Sequence, residues 1–82
     1  MTESLLRKLD RQHLIHPVTN LRAHEQKGVT ILESGKGAWL WDADGNKLLD
    51  AFAGLWCCNV GYGQESIVEV AQEQMRRLPY AT

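Results

Sequence analysis

Residues 28–53 decide the fold of this chain, and they read GVTILESGKGAWLWDADGNKLLDAFA. β-Branched residues open the stretch, and two turn signals divide it, which is typical of short strands in an antiparallel meander. The first turn is expected at Ser34-Gly35. Alternation places Trp39 and Trp41 on one face of the second strand and its small and aliphatic residues on the other. The strands predicted are Val29–Glu33, Gly37–Asp42 and Lys47–Ala51.

The second turn of the meander is predicted at the run Asp42-Ala43-Asp44-Gly45-Asn46. Gly45 and Asn46 both tolerate a positive φ, which a tight hairpin turn requires. The carboxylates of Asp42 and Asp44 suggest a calcium loop, but the later glutamate and the alternating ligands of such a loop are absent. We therefore interpret both aspartates as turn formers.

An amphipathic helix is predicted on the N-terminal side of the meander, over Glu3–Ile15. Thr2 or Ser4 is expected to cap it, and Pro17 to end it by forcing His16 into an extended conformation. In so short a chain, its apolar stripe is expected to need another subunit to pack on. The stripe comprises Leu5, Leu6, Leu9 and His13, whereas Arg7, Lys8, Asp10 and Arg11 occupy the opposite face.

The remaining segments complete an α+β fold class. Residues 18–25 have no clear period and are interpreted as an irregular arm. A glycine-punctuated loop over Gly54–Gly63 precedes a second helix over Gln64–Leu78, which Pro79 stops. The predicted order is an N-terminal helix, a three-stranded antiparallel meander, a loop and a second helix. The domain boundaries predicted are 1–27 for helix and arm, 28–53 for the meander, and 54–82 for loop and second helix.

Length and charge limit the classes of function. The chain has 82 residues, with 9 Lys+Arg against 10 Asp+Glu and a formal net charge of -1. This balance supplies no general attraction to nucleic acid or to anionic lipid, so neither partner is expected. The longest uncharged stretch falls short of the ~20 apolar residues that span a bilayer. The first residues lack the apolar region of a secretory signal, so a cytoplasmic location is expected.

The metal-ligating and nucleophilic residue types have ordinary explanations. The histidines His13, His16 and His24 lack the spacing that holds ligands on one helix face, so ordinary surface or interface roles are expected, without a metal. Cys57 and Cys58 are adjacent, and a bridge between them would close almost no loop. Two small thiols in a packed turn are the preferred interpretation, and a redox pair is the alternative.

Three features surround the glycine-punctuated loop. Asp50 is expected to cap the Gly54 region by accepting backbone N–H bonds. The Gly61-Tyr62-Gly63 run superficially resembles a phosphate loop but lacks the further glycine and lysine, so it is expected to turn the backbone sharply into the helix. The Leu55-Trp56 pair is too apolar for a solvent loop. We interpret it as the wall of a pocket or interface, with core filling as the alternative.

The motifs taken together resemble the N-terminus of class III aminotransferases, which are pyridoxal-phosphate enzymes of fold type I. The amine–pyruvate or omega-amino acid–pyruvate transaminase branch is the most similar one, and the likeness runs from about Leu14 to Tyr80. The motifs that carry it are His16-Pro17-x-Thr19, Gly28, Gly37-x4-Asp42-x2-Gly45-x4-Asp50, Gly54-Leu55-Trp56-Cys57-x-Asn59-Val60-Gly61-Tyr62-Gly63 and Gln74-Met75-x2-Leu78-Pro79-Tyr80.

The resemblance implies roles for three residues. Leu55 and Trp56 match family residues that form a wall of the substrate pocket near the cofactor. Val18 matches a substrate-facing position that is usually aromatic in this branch, which puts the size of the pocket in doubt. Residues 54–82 are then a pocket-wall loop and a helix leading into a large domain outside this sequence.

The resemblance also implies what these residues do not do. The family's cofactor lysine, the aspartate paired with the pyridine nitrogen and the phosphate-binding turn have no counterpart here, so none of these residues is expected to act in catalysis or hold the cofactor. The chain alone is expected to be inactive and to bind no pyridoxal phosphate. The complete enzyme would use an amine or omega-amino acid and pyruvate, as a homodimer. A non-catalytic interaction module using the Leu55-Trp56 loop is the alternative.

Overall fold

The computed structural model describes residues 4–82 and shows helices and a small sheet in the predicted overall order. The chain divides into two compact units, one ending at Leu32 and the other formed by Glu33–Thr82. Each unit is described separately. The elements are α1 (Leu5–His13), α2 (Leu21–Lys27), β1 (Leu32–Lys36), β2 (Trp39–Asp42), β3 (Lys47–Leu49), the short α3 (Ala53–Trp56) and α4 (Glu65–Arg77).

The first helix, α1, is shorter than predicted. Ser4 is its N-cap, and the Ser4 hydroxyl accepts a hydrogen bond from the Arg7 N–H at 3.3 Å. Thr2, the other predicted cap, and Glu3 lie outside the described residues. The helix ends at His13 rather than Ile15, because Leu14 is already extended, at φ -114° and ψ 137°. The end of the helix is therefore set before Pro17 acts on its neighbour.

The prediction of an irregular arm is wrong, because this segment contains helix α2. Asn20 starts the helix, since its side-chain oxygen accepts the Ala23 N–H at 3.1 Å. Gly28 ends it with φ 72°, a conformation that glycine adopts without steric cost. The helix has only 7 residues, about two turns, so its apolar periodicity is too short to reveal it.

The second unit contains the predicted antiparallel meander, with strand order β1-β2-β3. Trp39 pairs with Leu49, and Trp41 pairs with Lys47. The Lys47 ammonium lies 4.2 Å from the Trp39 ring centroid and 5.7 Å from the Trp41 centroid. The two tryptophans therefore share one face of the hairpin, as predicted, and Lys47 contacts that face by cation–π interaction.

The first strand and first turn of the meander were predicted about three residues too early. Gly35 lies inside β1, and a Cβ atom there would stand 2.8 Å from Cγ of Tyr62. This glycine therefore serves close packing rather than a turn. The chain reverses at Gly37, which has φ 60°. The return strand ends at Leu49 instead of Ala51, because the Asp50 side chain bonds the following backbone.

Polar residues rather than apolar ones are buried in the described residues. No large hydrophobic residue of the part described is buried, whereas Asp10, His24 and Asp42 are. Every residue of α4 is exposed, including its apolar stripe. A core of buried apolar side chains normally supplies most folding free energy. Polar contacts therefore carry much of the local organisation of this chain.

Within residues 4–82, no helix is long and apolar enough to cross a membrane.

Candidate functional site

The predicted pocket-wall residues lie on the short element α3, Ala53–Trp56. Its backbone is not regularly α-helical, and it is called the left-handed turn from here on. Its φ angles are 52° at Ala53, 57° at Gly54, 57° at Leu55 and 73° at Trp56. Left-handed backbone costs a residue with a Cβ roughly 1–2 kcal/mol. Strain of this kind concentrates at functional sites, where the surrounding structure holds it in place.

The left-handed turn presents its two large apolar side chains outward. Leu55 is 51% exposed and Trp56 is 83% exposed. The alternative that they fill a core is therefore wrong for the described chain. Adjacent exposed apolar side chains of this size are typical of a binding wall or an interface.

Asp50 holds the turn by its carboxylate. Its Oδ1 accepts hydrogen bonds from the N–H groups of Phe52 and Ala53, each at 3.0 Å. The Tyr62 hydroxyl donates to Asp50 Oδ2. The prediction that Asp50 caps this region by accepting backbone N–H bonds is confirmed, and the contact with Tyr62 adds to it.

The Asp50–Tyr62 contact shifts the proton affinity of both groups. The Tyr62 hydroxyl, followed by the Phe52 N–H, lowers the pKa of Asp50 because both stabilise the carboxylate. The same carboxylate raises the pKa of Tyr62 to about 12, since losing the hydroxyl proton would break the bond and place two negative charges together.

Tyr62 joins the left-handed turn to the sheet of the same unit. Its backbone forms an antiparallel bridge with Gly37, with N···O distances of 2.9 Å and 2.8 Å. Gly61 and Gly63 flank it at φ 84° and 67°, which confirms the predicted sharp turn toward α4. Sequence reasoning missed this role of Tyr62. The signal was a tyrosine between two glycines, 12 residues after Asp50.

The cysteines follow directly on the left-handed turn. The N–H groups of Cys57 and Cys58 both donate to the Ala53 carbonyl, at 3.0 Å and 2.9 Å. Both thiols are free. Cys57 is exposed, so the prediction of a thiol in a packed turn is wrong for this residue, which belongs to the outward side of the turn.

Val18, the third predicted pocket residue, lies in the other unit. It is fully exposed with φ 51° and lines a groove of about 480 Å³. The structure therefore brings Leu55 and Trp56 together on one turn of the second unit, and Val18 lines a groove of the first unit. The groove is lined by His16, Pro17, Val18, Thr19, Asn20, Ala23, His24, Lys27, Gly28 and Val29.

Two histidines and an aspartate meet beside this groove. His16 Nε2 lies 2.6 Å from Asp10 Oδ1, and His24 Nε2 lies 3.2 Å from Asp10 Oδ2. Of the predicted surface or interface roles, the surface role is wrong for His24, which is buried. The prediction failed because helix α2 was missed, and α2 is what carries His24 back to α1. Asp10 was likewise assigned to the solvent face of its helix but is buried.

The lysines lie in environments unlike that of a lysine that forms a Schiff base with a cofactor. Schiff-base chemistry needs a lysine in a desolvating or cationic environment that lowers its pKa. All four lysines, Lys8, Lys27, Lys36 and Lys47, are exposed. None of the four is therefore desolvated in this structure, and the absence of a cofactor lysine from these residues stays a prediction.

Comparison with known proteins defines the class of this protein. Residues 21–82 match the family model of aminotransferase class-III. Putrescine–pyruvate aminotransferase of Pseudomonas aeruginosa is 49% identical over 72 residues, which are 88% of this chain and 16% of the relative. The chain belongs to the class III aminotransferases.

Solved structures agree with this assignment. The (S)-enantioselective omega-transaminase of Thermomicrobium roseum superposes with a TM-score of 0.84 at 45% identity, over 89% of this chain and 16% of that one. The omega-transaminase of Pseudomonas jessenii in complex with PMP has a TM-score of 0.89 at 34% identity, over 96% of this chain and 17% of that one. The chain thus spans about a sixth of the length of these proteins.

Proposed function

We propose that this chain is the N-terminal segment of a pyridoxal-phosphate-dependent transaminase that moves an amino group from an amine or omega-amino acid to pyruvate. Membership of the family over residues 21–82 supports the reaction class. The similarity to a putrescine–pyruvate aminotransferase supports the donor and acceptor classes. The single observation that carries the proposal is the left-handed turn, which holds Leu55 and Trp56 outward on a strained backbone.

The contribution of these residues to the reaction is steric and apolar. Leu55 and Trp56 form one wall of the amine pocket, where they contact the carbon skeleton of the donor and exclude water from the reacting amine. Neither side chain can move a proton at neutral pH. Asp50 and Tyr62 are positioning residues, because they act on the substrate only through the turn that they hold.

The cofactor is held by parts of the enzyme outside these residues. Pyridoxal phosphate supplies the electron sink that lets an amino group be exchanged for a carbonyl. Because the lysines described above do not fit its attachment, the chain alone is inactive and binds no cofactor under this proposal. The complete enzyme is a homodimer, and a cytoplasmic location stays a prediction.

Val18 stays a proposed substrate-facing residue, in the unit that ends at Leu32. The corresponding position is usually aromatic in the family branch that the sequence resembles, and valine is far smaller. Its full exposure beside an open groove is consistent with a side chain that faces a ligand rather than a core. The donor amine is therefore expected to be bulkier than one accepted by a pocket with an aromatic residue there.

A chimeric enzyme tests the proposal. The present chain replaces the corresponding segment of the Pseudomonas aeruginosa putrescine–pyruvate aminotransferase, with which it shares 49% identity. We expect the chimera to bind pyridoxal phosphate and to form alanine from pyruvate and putrescine. In that chimera, Leu55→Ala and Trp56→Ala should each lower kcat/KM for the amine roughly tenfold or more, since apolar pocket contacts discriminate by this amount.

Leu49→Ala is the matched control in the chimera. Leu49 is a large apolar residue of comparable exposure on strand β3, outside the left-handed turn. Its replacement should leave kcat/KM within about threefold, as expected for a loss below 1 kcal/mol. A chimera that binds the cofactor and turns over equally well with Leu55→Ala, Trp56→Ala and Leu49→Ala would refute the pocket-wall role.

The second candidate function is a non-catalytic interaction module that uses the same turn. The observation in its favour is the 83% exposure of Trp56, which offers a partner a large apolar contact. Sedimentation equilibrium of the purified chain distinguishes the two. Loss of self-association in the Leu55→Ala, Trp56→Ala double variant supports the module, and unchanged association removes it.

A further inference from the structure

We propose that Asp10, His16 and His24 form a binding site for a divalent transition metal, with Zn²⁺ as the preferred ion. The site lies wholly within the unit that ends at Leu32, and neither the pocket-wall role nor the reaction proposed above depends on it. It replaces the expectation, drawn from histidine spacing alone, that the chain has no metal site.

The donor atoms are the right type and lie close enough together. Two imidazole nitrogens and a carboxylate oxygen are a common ligand set for zinc in proteins. One ligand atom from each residue lies within 4.8 Å of the others. Tetrahedral bonds of about 2.0–2.1 Å place neighbouring ligand atoms about 3.3 Å apart. The distance from His24 Nε2 to Asp10 Oδ2 is 3.2 Å.

Burial makes the metal-free cluster costly. The side chains of Asp10 and His24 are each 8% exposed. Their facing atoms, Asp10 Oδ2 and His24 Nε2, are buried 3.2 Å apart and have no further hydrogen-bond partner. Buried polar atoms need a partner, and a metal ion bonded to both atoms would satisfy the two together.

The two carboxylate oxygens of Asp10 face different histidines. Oδ1 contacts His16, and Oδ2 faces His24. Near this cluster, the Arg7 side chain donates its Nε–H to the Val29 carbonyl at 3.0 Å. Binding a metal exchanges the Asp10–His16 contact for bonds from both residues to the ion.

An entry path and an open coordination position are both present. His16 is 34% exposed and lies, with His24, along the groove that also contains Val18. Three protein ligands leave the fourth zinc position for water or another small ligand from that groove. The bound ion would join α1, the connecting segment and α2, and would therefore stabilise the unit in which it lies.

Calorimetric titration of the purified chain with Zn²⁺ alone tests the site. We expect one equivalent to bind with a dissociation constant of about 1 μM or below, and helicity to rise on binding. His24→Gln and His16→Gln should each weaken binding by at least about 100-fold, beyond the effect of losing a residue outside the coordination sphere. His16→Gln is the safer variant for folding, because His16 is partly exposed.

His13→Gln is the matched control, since His13 is an exposed histidine on the same helix and outside the cluster. It should bind Zn²⁺ as the parent does. No saturable binding to the parent chain would overturn the proposal. Equal affinities in the three variants would overturn it as well, because zinc would then bind elsewhere.

Discussion

Two turns in the same unit are built in opposite ways. The turn at Asp42–Asn46 uses a glycine where φ is positive, Gly45 at 86°, and the Asp42 carboxylate accepts the Asp44 and Asn46 N–H groups at 3.0 Å and 2.8 Å. The left-handed turn, Ala53–Trp56, has positive φ at three residues that carry a Cβ. The first turn is relaxed, and the second is strained.

The two turns also differ in the side chains that they expose. The relaxed turn exposes polar residues and closes the hairpin, as its sequence predicts. The strained turn exposes Leu55 and Trp56 and needs Asp50 and Tyr62 to hold it. Because backbone strain concentrates at functional sites, this turn is the one for which we propose the pocket-wall role.

Removing Asp50 should have the largest effect on this comparison. Asp50→Ala deletes the acceptor for the Phe52 and Ala53 N–H groups and for the Tyr62 hydroxyl. We expect amide hydrogen exchange at Phe52 and Ala53 to accelerate roughly tenfold or more, since local opening controls exchange. Asn46 in the relaxed turn should keep its exchange rate. Equal acceleration in both turns would show that the two are not held separately.

Gly45→Ala should destabilise the relaxed turn by about 1–2 kcal/mol. The cost is backbone strain alone, because nothing lies within 4 Å of the position of the added Cβ. Urea unfolding measures the change, with Ala43→Gly in the same turn as a comparison variant. A neutral Gly45→Ala would mean that the hairpin does not require the positive φ.

Ala53→Gly should change the free energy of unfolding in the opposite direction to Gly45→Ala and by a smaller amount. Ala53 already has φ 52°, so glycine relieves strain there and stabilises the chain by about 0.5–1 kcal/mol. The gain is partly offset by the greater freedom of glycine in the unfolded chain. Urea unfolding of the two variants measures both changes in the free energy of unfolding. Destabilisation by Ala53→Gly would contradict the assignment of strain to this turn.

The Asp50–Tyr62 contact predicts the pH range over which the strained turn is stabilised. The pKa of Asp50 is lowered from 3.8, so its stabilisation is present above that value and is lost as the pH falls through the lower folded value. The pKa of Tyr62 is raised from 10.0 to about 12, so its stabilisation is complete below pH 10 and is lost as the pH rises toward 12.

Ultraviolet titration of tyrosine checks the alkaline edge of that pH range. The parent should show a tyrosine that ionises near pH 12, and Asp50→Asn should move this step toward 10.0 because the acceptor charge is gone. An unchanged titration in Asp50→Asn would show that Tyr62 does not depend on the Asp50 carboxylate.

The sequence predicted those features that local chemistry decides. The hairpin at Asp42–Asn46, the second helix and the capping role of Asp50 follow from turn residues, helical period and side-chain acceptors close in the chain. The exposed Leu55-Trp56 pair was identified because two large apolar residues in a glycine-rich loop have no local explanation.

Features that depend on distant contacts were missed for a physical reason. Gly35 was predicted to be a turn residue. In the structure, the Tyr62 ring, from far along the chain, packs so close to Gly35 that a Cβ atom there would clash with it. The Asp10 and His24 side chains looked solvated, but a short unpredicted helix brings them together. Neither pairing leaves a periodic signal, so spacing rules applied to one element at a time could not reveal them.

The central claim, that the left-handed turn is a wall of an amine pocket, is tested most directly by a crystal structure of the chimera with cofactor and an unreactive amine analogue. We predict side-chain atoms of Leu55 and Trp56 within about 4 Å of the carbon skeleton of the analogue, which is apolar contact distance. An analogue bound elsewhere, with both side chains packed only on protein, would contradict the claim.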